Sequence, residues 1–194
     1  MSLILASTSS IRRQMLEAAG VEHSAVPPEV DENPYKIVHP RPEQLALALA
    51  AAKAMKVSQA NRDPWVIGSD SVVTVQGIGR CDKPESREHA REQLKRFSDR
   101  RMHLTSAVAL ARNAKVDWQY AETATLKVRE LSDRFIDEYL EAEWPEIGYT
   151  AGAFRLEARG AQLFDFIEGS HFTILGMPLL PLLKALRERG LLTS

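Results

Sequence analysis

The side chains that could do chemistry in this chain are few: Asp70 inside the apolar run from Trp65 to Val75, the lysines Lys53 and Lys83, the adjacent Arg12 and Arg13 behind Ser7, and the acids Glu29, Asp31 and Glu32. A carboxylate in an apolar strand must be paired, hydrogen-bonded or metal-bound, because burying it bare is expensive, so Asp70 reads as a site residue. Arg12 and Arg13 follow the hydroxyl run Ser7-Thr8-Ser9-Ser10 where a helix should begin. Basic residues there oppose the helix dipole, and the free N–H groups of a first turn attract anions, so the stretch suits a polyanion. The acids near Asp31 repel one another, a cost that solvation in a loop or a divalent cation would remove. Ordinary roles stay open for the rest: Ser/Thr as a helix cap, Lys53 as a lysine snorkelling from a helix edge, Lys83 as a surface lysine. Cations and carboxylates without a nucleophile triad point to phosphoryl chemistry, in which cations and a metal spread charge while a carboxylate activates water.

Composition narrows the classes. The 25 Lys+Arg nearly cancel the 26 Asp+Glu over 194 residues, which gives no basic field for nucleic acid and no polybasic membrane patch. A lone cysteine, Cys81, excludes an intramolecular disulfide and a cysteine metal cluster, and no run reaches the roughly 20 apolar residues of a membrane span. The chain begins with neither a basic leader nor a long apolar stretch, so a cytoplasmic home is expected. Walker A, G-x-G-x-x-G, H-E-x-x-H and G-x-S-x-G sequences are all missing, and the five histidines show no ligand spacing.

The elements that must position these groups can be read from pattern. Ile4 and Leu5 open a buried strand, and the helix that continues through Gln14 to Ala19 closes at Gly20. Val21–Val26 reads as a strand, Pro27-Pro28 as the start of a stiff acidic loop, and Glu43–Gln59 as an alanine-rich helix with Leu45, Leu49 and Ala52 on its apolar face. Trp65–Val75 is a buried strand; Lys83-Pro84 fixes an extended backbone; Ser86–Phe97 is a helix. Leu104–Ala111 and the period-2 run Val116–Val128 form a long hairpin around Asn113, and Ser132 caps a helix to about Leu140. Leu163–Ile167 and Phe172–Leu175 are predicted strands, and Pro178 starts a last helix that ends at Gly190. Early strand–helix alternation and later antiparallel strands give a single domain over residues 1–194, a mixed sheet with helices around it.

Taken in chain order, the segments Ile4-Leu5-Ala6-Ser7-Thr8-Ser9-Ser10-Ile11-Arg12-Arg13, Pro28-Glu29-Val30-Asp31-Glu32, Leu49-Ala50-Ala51-Ala52-Lys53-Ala54, Gly68-Ser69-Asp70-Ser71, Lys83-Pro84, Gly152-Ala153-Phe154 and Ile174-Leu175-Gly176-Met177-Pro178 resemble the Maf family of nucleotide pyrophosphatases over residues 3–191. The resemblance implies an α/β fold, a mixed, elongated central sheet flanked by helices in two lobes around an active-site cleft, shared with inosine-triphosphatase-like proteins and commonly dimeric. It implies divalent-metal-dependent hydrolysis of nucleoside triphosphates between the α- and β-phosphates, a house-cleaning reaction on modified nucleotides. By matching motif, Asp70 would accept the proton, Ser7, Arg12, Arg13, Lys53 and Lys83 would hold the triphosphate, and Glu32 with Asp70 would place Mg²⁺ or Mn²⁺. Family branches differ at positions aligned with Ile11, Ser71 and Glu157: a dTTP/UTP branch has Arg, Thr and Gln there, a 7-methyl-GTP branch Trp, Gln and Glu. This chain shares the glutamate and the loop spacing with the second branch and departs from it at the other two positions. A carboxylate at 157 accepts from the N1–H and amino group of guanine, and Ile11 lacks the aromatic face that would stack a cationic methylated base. The alternatives are a strict 7-methyl-GTP pyrophosphatase and a non-catalytic nucleotide-binding regulator of cell division.

Overall fold

Leu3–Ala6 (β1), fully buried, runs straight into Ser7, and a short loop turns into the helix Ser10–Ala18 (α1), whose cap is the Ser9 side chain accepting from the Arg12 backbone N–H. The computed structural model describes residues 2–193, and within it the chain forms two compact units.

The first unit comprises residues up to Ser71, Thr105–Glu122 and Ser170 onward. Besides β1 and α1 it holds Ser24–Ala25 (β2), Asn33–Val38 (α2), Pro42–Ala60 (α3) and the front of Trp65–Val75 (β3). β1 pairs in parallel with both β2 and β3, and its register against β3 ends at Ala6↔Gly68. The core sits between this sheet and two helices: Leu3, Leu5, Leu16, Ile67, Val108 and Leu110 pack with Leu179, Leu182 and Leu186 of the last helix, Leu179–Glu188. On α3 the buried residues are Leu45, Ala46, Leu49, Ala50, Ala54, Val57 and Ser58, a stripe of mostly small side chains that lets a strand come very close.

The second unit, residues 72–104 and 123–169, holds the end of β3 with Gly79–Cys81 (β4) antiparallel on it, Arg87–Phe97 (α4), the front of Arg101–Arg112 (β5), the end of Lys115–Val128 (β6), Asp133–Glu143 (α5) and Phe164–Glu168 (β7) antiparallel to β6. Parallel pairing at β1 and antiparallel pairing at β4 and β7 make the sheet mixed, with helices beside it. Asn113 and Ala114 both have positive φ, the twist a tight β5–β6 hairpin requires. Ser132 caps α5 through its side chain, as the sequence predicts, and Ser86, read as the first residue of its helix, caps α4 in the same way.

Two expectations are corrected, and one helix is added. Phe172–Leu175 is not a strand: His171–Ile174 forms one helical turn (α6, making the last helix α7), because a four-residue apolar run carries no period that separates strand from helix and Thr173 and Ile174 are buried either way. The strand at Val21–Val26 shrinks to Ser24–Ala25, both exposed at the sheet edge. The acidic stretch Glu29–Glu32 is a loop as expected, but Asn33-Pro34 opens α2 right after it, a helix for which the sequence reading named no element.

Candidate active site

The alternation of β3 decides what each of its residues can reach. Gly68 and Asp70 face α3, whereas Ser69 and Ser71 face the opposite side. At Gly68 an added Cβ would lie 2.1 Å from Ala50 O, 2.6 Å from Ala54 N and 2.9 Å from Ala54 Cβ, so strand and helix touch backbone to backbone. This approach brings Lys53 of α3 inward. Its Nζ stands 2.5 Å from Asp70 Oδ1 and 2.7 Å from Glu32 Oε1, with the side chains of Lys53 and Asp70 only 12% and 10% exposed. Snorkelling is therefore not what Lys53 does: its charge is matched by the buried Asp70 and by the partly exposed Glu32.

Burial raises the Asp70 pKa above the usual aspartate range, against the pull of the Lys53 and Arg12 charges, and Glu32 pushes it the same way as burial. Oδ1 takes the lysine, and Oδ2 has no protein donor among the described residues. A carboxylate with one oxygen tied, the other free and a raised pKa is suited to taking a proton from water.

On the other face, Arg12 is held by the fold. Its Nε donates to Gly176 O at 2.9 Å, Nη1 to Ser69 O at 2.9 Å with Ser7 Oγ at 3.4 Å, and Nη2 to Ser71 Oγ at 3.1 Å. The neighbouring hydroxyls extend this network: Ser71 Oγ lies 2.8 Å from Ser106 Oγ and 3.2 Å from Gly176 O, Ser106 Oγ donates to Thr173 O at 2.7 Å, and Thr173 Oγ1 donates to Glu122 Oε2 at 2.6 Å. Gly176 adopts a φ of +106°, a conformation that side-chain-bearing residues rarely take, which explains a glycine at this carbonyl. Of the five guanidinium N–H groups, four are engaged inside the protein, so Arg12 contributes a buried charge and a frame more than a phosphate fork. Burial lowers its pKa, and Asp70 and Glu32 oppose that shift.

Arg13, one residue on, is different: its side chain is 53% exposed with a loose 3.9 Å contact to Glu17. It lines a shallow cavity of about 280 Å³ with Ser7, Thr8, Ser9, Ala25 and Pro27. Hydroxyls, an arginine and the first turn of α1 around one concavity have the chemistry to accept an anion.

The first unit thus brings together Ser7, Arg12 and Ser71 in one network and Glu32, Lys53 and Asp70 in another, with Arg12 electrostatically coupled to both acids. Ile11 is half-buried in the first turn of α1. Lys83 and Glu157 lie in the second unit, both exposed. Among the described residues no group of three or more His, Cys, Asp and Glu could hold a metal. Two neighbouring carboxylates fit Mg²⁺ of the kind that arrives with substrate phosphates and keeps its waters, not a prebuilt cage. Sequence reasoning missed Ser69, Ser106 and Gly176; hydroxyls interrupting the apolar strands at 69 and 106 were the available signal.

The profile of a family described as Maf-like protein matches residues 2–189. A 7-methyl-GTP pyrophosphatase of Rhizobium meliloti is 43% identical over 192 residues, covering 97% of this chain and 96% of that protein. A nucleoside triphosphate pyrophosphatase of Granulibacter bethesdensis is 43% identical over 198 residues, covering both proteins in full. The Ham1 protein of Staphylococcus aureus has the same fold, with a TM-score of 0.52 at 16% identity over 98% of this chain and 100% of that one. No helix among the described residues is long and apolar enough to cross a membrane. On the match over residues 2–189 and the full-length identity to both relatives, this chain belongs to the family of Maf-like proteins.

Proposed function

We propose that this chain hydrolyses nucleoside triphosphates at the α–β linkage, releasing a nucleoside monophosphate and pyrophosphate. The observation that carries the reading is the Asp70–Lys53–Glu32 cluster, with Asp70 buried on β3, in the same unit as the Ser7–Arg13 cavity that follows β1, the strand paired with β3. The names of the Rhizobium and Granulibacter relatives support the same reaction class.

In this reading Ser7, Arg13 and the first-turn N–H groups of α1 bind phosphate oxygens, and Lys83 adds a further cation. Water attacks the α-phosphorus. Its proton passes to Asp70 Oδ2, and the bond from that phosphorus to the bridging oxygen breaks with the electron pair leaving on pyrophosphate. Lys53 holds Asp70 in place through Oδ1 and keeps positive charge next to the reacting centre. Asp70 and Glu32 would hold a divalent cation brought in with the phosphates, which would supply neutralisation of their charge. Glu157, exposed and without a hydrogen bond among the described residues, is available to accept from a guanine edge and favours a purine over uracil or thymine. The reaction belongs to nucleotide house-cleaning in the cytoplasm, carried out by a single-domain protein as a homodimer.

The test is to incubate the pure protein with Mg²⁺ or Mn²⁺ and GTP, 7-methyl-GTP, UTP and dTTP and to identify the products. Nucleoside monophosphate with pyrophosphate is expected; orthophosphate with nucleoside diphosphate would overturn the assignment.

A further inference from the structure

Lys83 is exposed, yet the backbone on both sides of it is tied to a single helix. Gln93 of α4 donates from Nε2 to Asp82 O at 3.2 Å, and His89, one turn earlier on α4, accepts the Glu85 N–H on Nδ1 at 3.3 Å. Pro84 between them is buried and holds Lys83 in an extended backbone. Two hydrogen bonds from positions i and i+4 of one helix face therefore bracket Lys83-Pro84, a degree of support that a solvated lysine does not need.

The support is costly. Gln93 is 7% exposed, and its Oε1 is buried without a partner among the described residues. Its Nε2 also lies 3.3 Å from His89 Nε2. With Nδ1 accepting from Glu85, a neutral His89 carries its proton on Nε2, so that contact sets donor against donor. Turning the amide over would let Oε1 accept from His89 but would face Asp82 O with an oxygen. In neither orientation does Gln93 satisfy both neighbours, and a buried unsatisfied amide atom destabilises a fold.

We propose that Gln93 is a positioning residue for Lys83, with His89 as its partner: the pair pre-sets the lysine for a phosphate and accepts a stability cost to do so. This rests on the reading of Lys83 as a phosphate-binding cation. A residue that served only the fold would lose stability and activity together when replaced; Gln93 should not.

The experiment compares wild type, Gln93→Met, Lys83→Ala and the double variant, reading thermal midpoint and kcat/KM for pyrophosphate release from GTP with Mg²⁺. Gln93→Met is expected to keep or raise the midpoint while lowering kcat/KM about three- to tenfold, mostly through KM, the effect of one positioned hydrogen bond. In the Lys83→Ala background it should change kcat/KM little. Equal loss in both backgrounds, or no loss in a Gln93→Met protein whose wild type is active, overturns the clamp while leaving the reaction assignment intact. A wild type that releases no pyrophosphate overturns the reaction reading first. Should methionine unfold α4, His89→Ala, at a half-buried position, makes the same comparison, and additivity with Lys83→Ala would count against the proposal.

Discussion

The contact at Gly68 is the geometric hinge of the site, and Gly68→Ala is the substitution that tests it. The new Cβ would fall 2.1 Å from Ala50 O. Bringing that pair to van der Waals distance requires β3 and α3 to separate by about 1 Å, and both neighbours are backbone, so no side chain can swing aside. The Lys53–Asp70 pair, 2.5 Å apart across the same seam, would stretch to about 3.5 Å, the weak edge of hydrogen-bond range. Overpacking of this kind costs about 1–3 kcal/mol, or ~3–10 °C of thermal midpoint for a chain of this size. A displacement of about 1 Å in a reacting constellation can lower turnover ~100-fold, so activity should fall further than stability. Differential scanning fluorimetry and a pyrophosphate-release assay on the same preparation read the two effects. A Gly68→Ala protein indistinguishable from wild type in both would refute the claim that strand–helix contact sets the pair.

The same geometry makes other substitutions informative. Arg12→Ala should lower the thermal midpoint by several degrees, because it removes the guanidinium bonds to Ser69 O, Gly176 O and Ser71 Oγ together, whereas Arg13→Ala should leave the midpoint nearly unchanged and raise KM, its ion pair with Glu17 being exposed and long. Because Asp70 has a raised pKa, the acid limb of kcat/KM should lie above the usual aspartate range; a limb at or below that range would contradict the assignment. The sign for stability is the reverse of a paired surface aspartate. The native state binds the Asp70 proton more tightly than the unfolded chain, so this contribution is present at low pH and lost as pH rises through the folded pKa. Asp70→Asn should therefore melt no lower than wild type at pH 7, with less advantage at pH 4, by thermal scans at both. Glu157→Gln should lower the GTP-to-UTP ratio of kcat/KM, and an unchanged ratio would remove Glu157 from base choice.

Much of this was legible in the sequence where local chemistry decides. The strand–hydroxyl loop–helix at the start, the serine cap at 132, and a lone acid in the apolar run of β3 were each fixed by neighbours within a few residues. Lys53 was ambiguous because helix periodicity places it at the edge of an apolar face; only the tight approach at Gly68 turns it inward. The Arg12 network was not legible at all. Its key acceptor, Gly176 O, is 164 residues away, and one carbonyl leaves no pattern in side-chain order. The same holds for Gln93, whose burial and conflict arise from where the Asp82–Glu85 loop folds back on α4.

The central claim is that Asp70, tied by Lys53 on one oxygen, takes the proton from the attacking water. Its most direct measurement is pyrophosphate release from GTP by Asp70→Asn beside wild type at saturating Mg²⁺, with folding verified by circular dichroism. A fall of about 10²- to 10⁴-fold in kcat with the fold intact is predicted; turnover at the wild-type rate would contradict it.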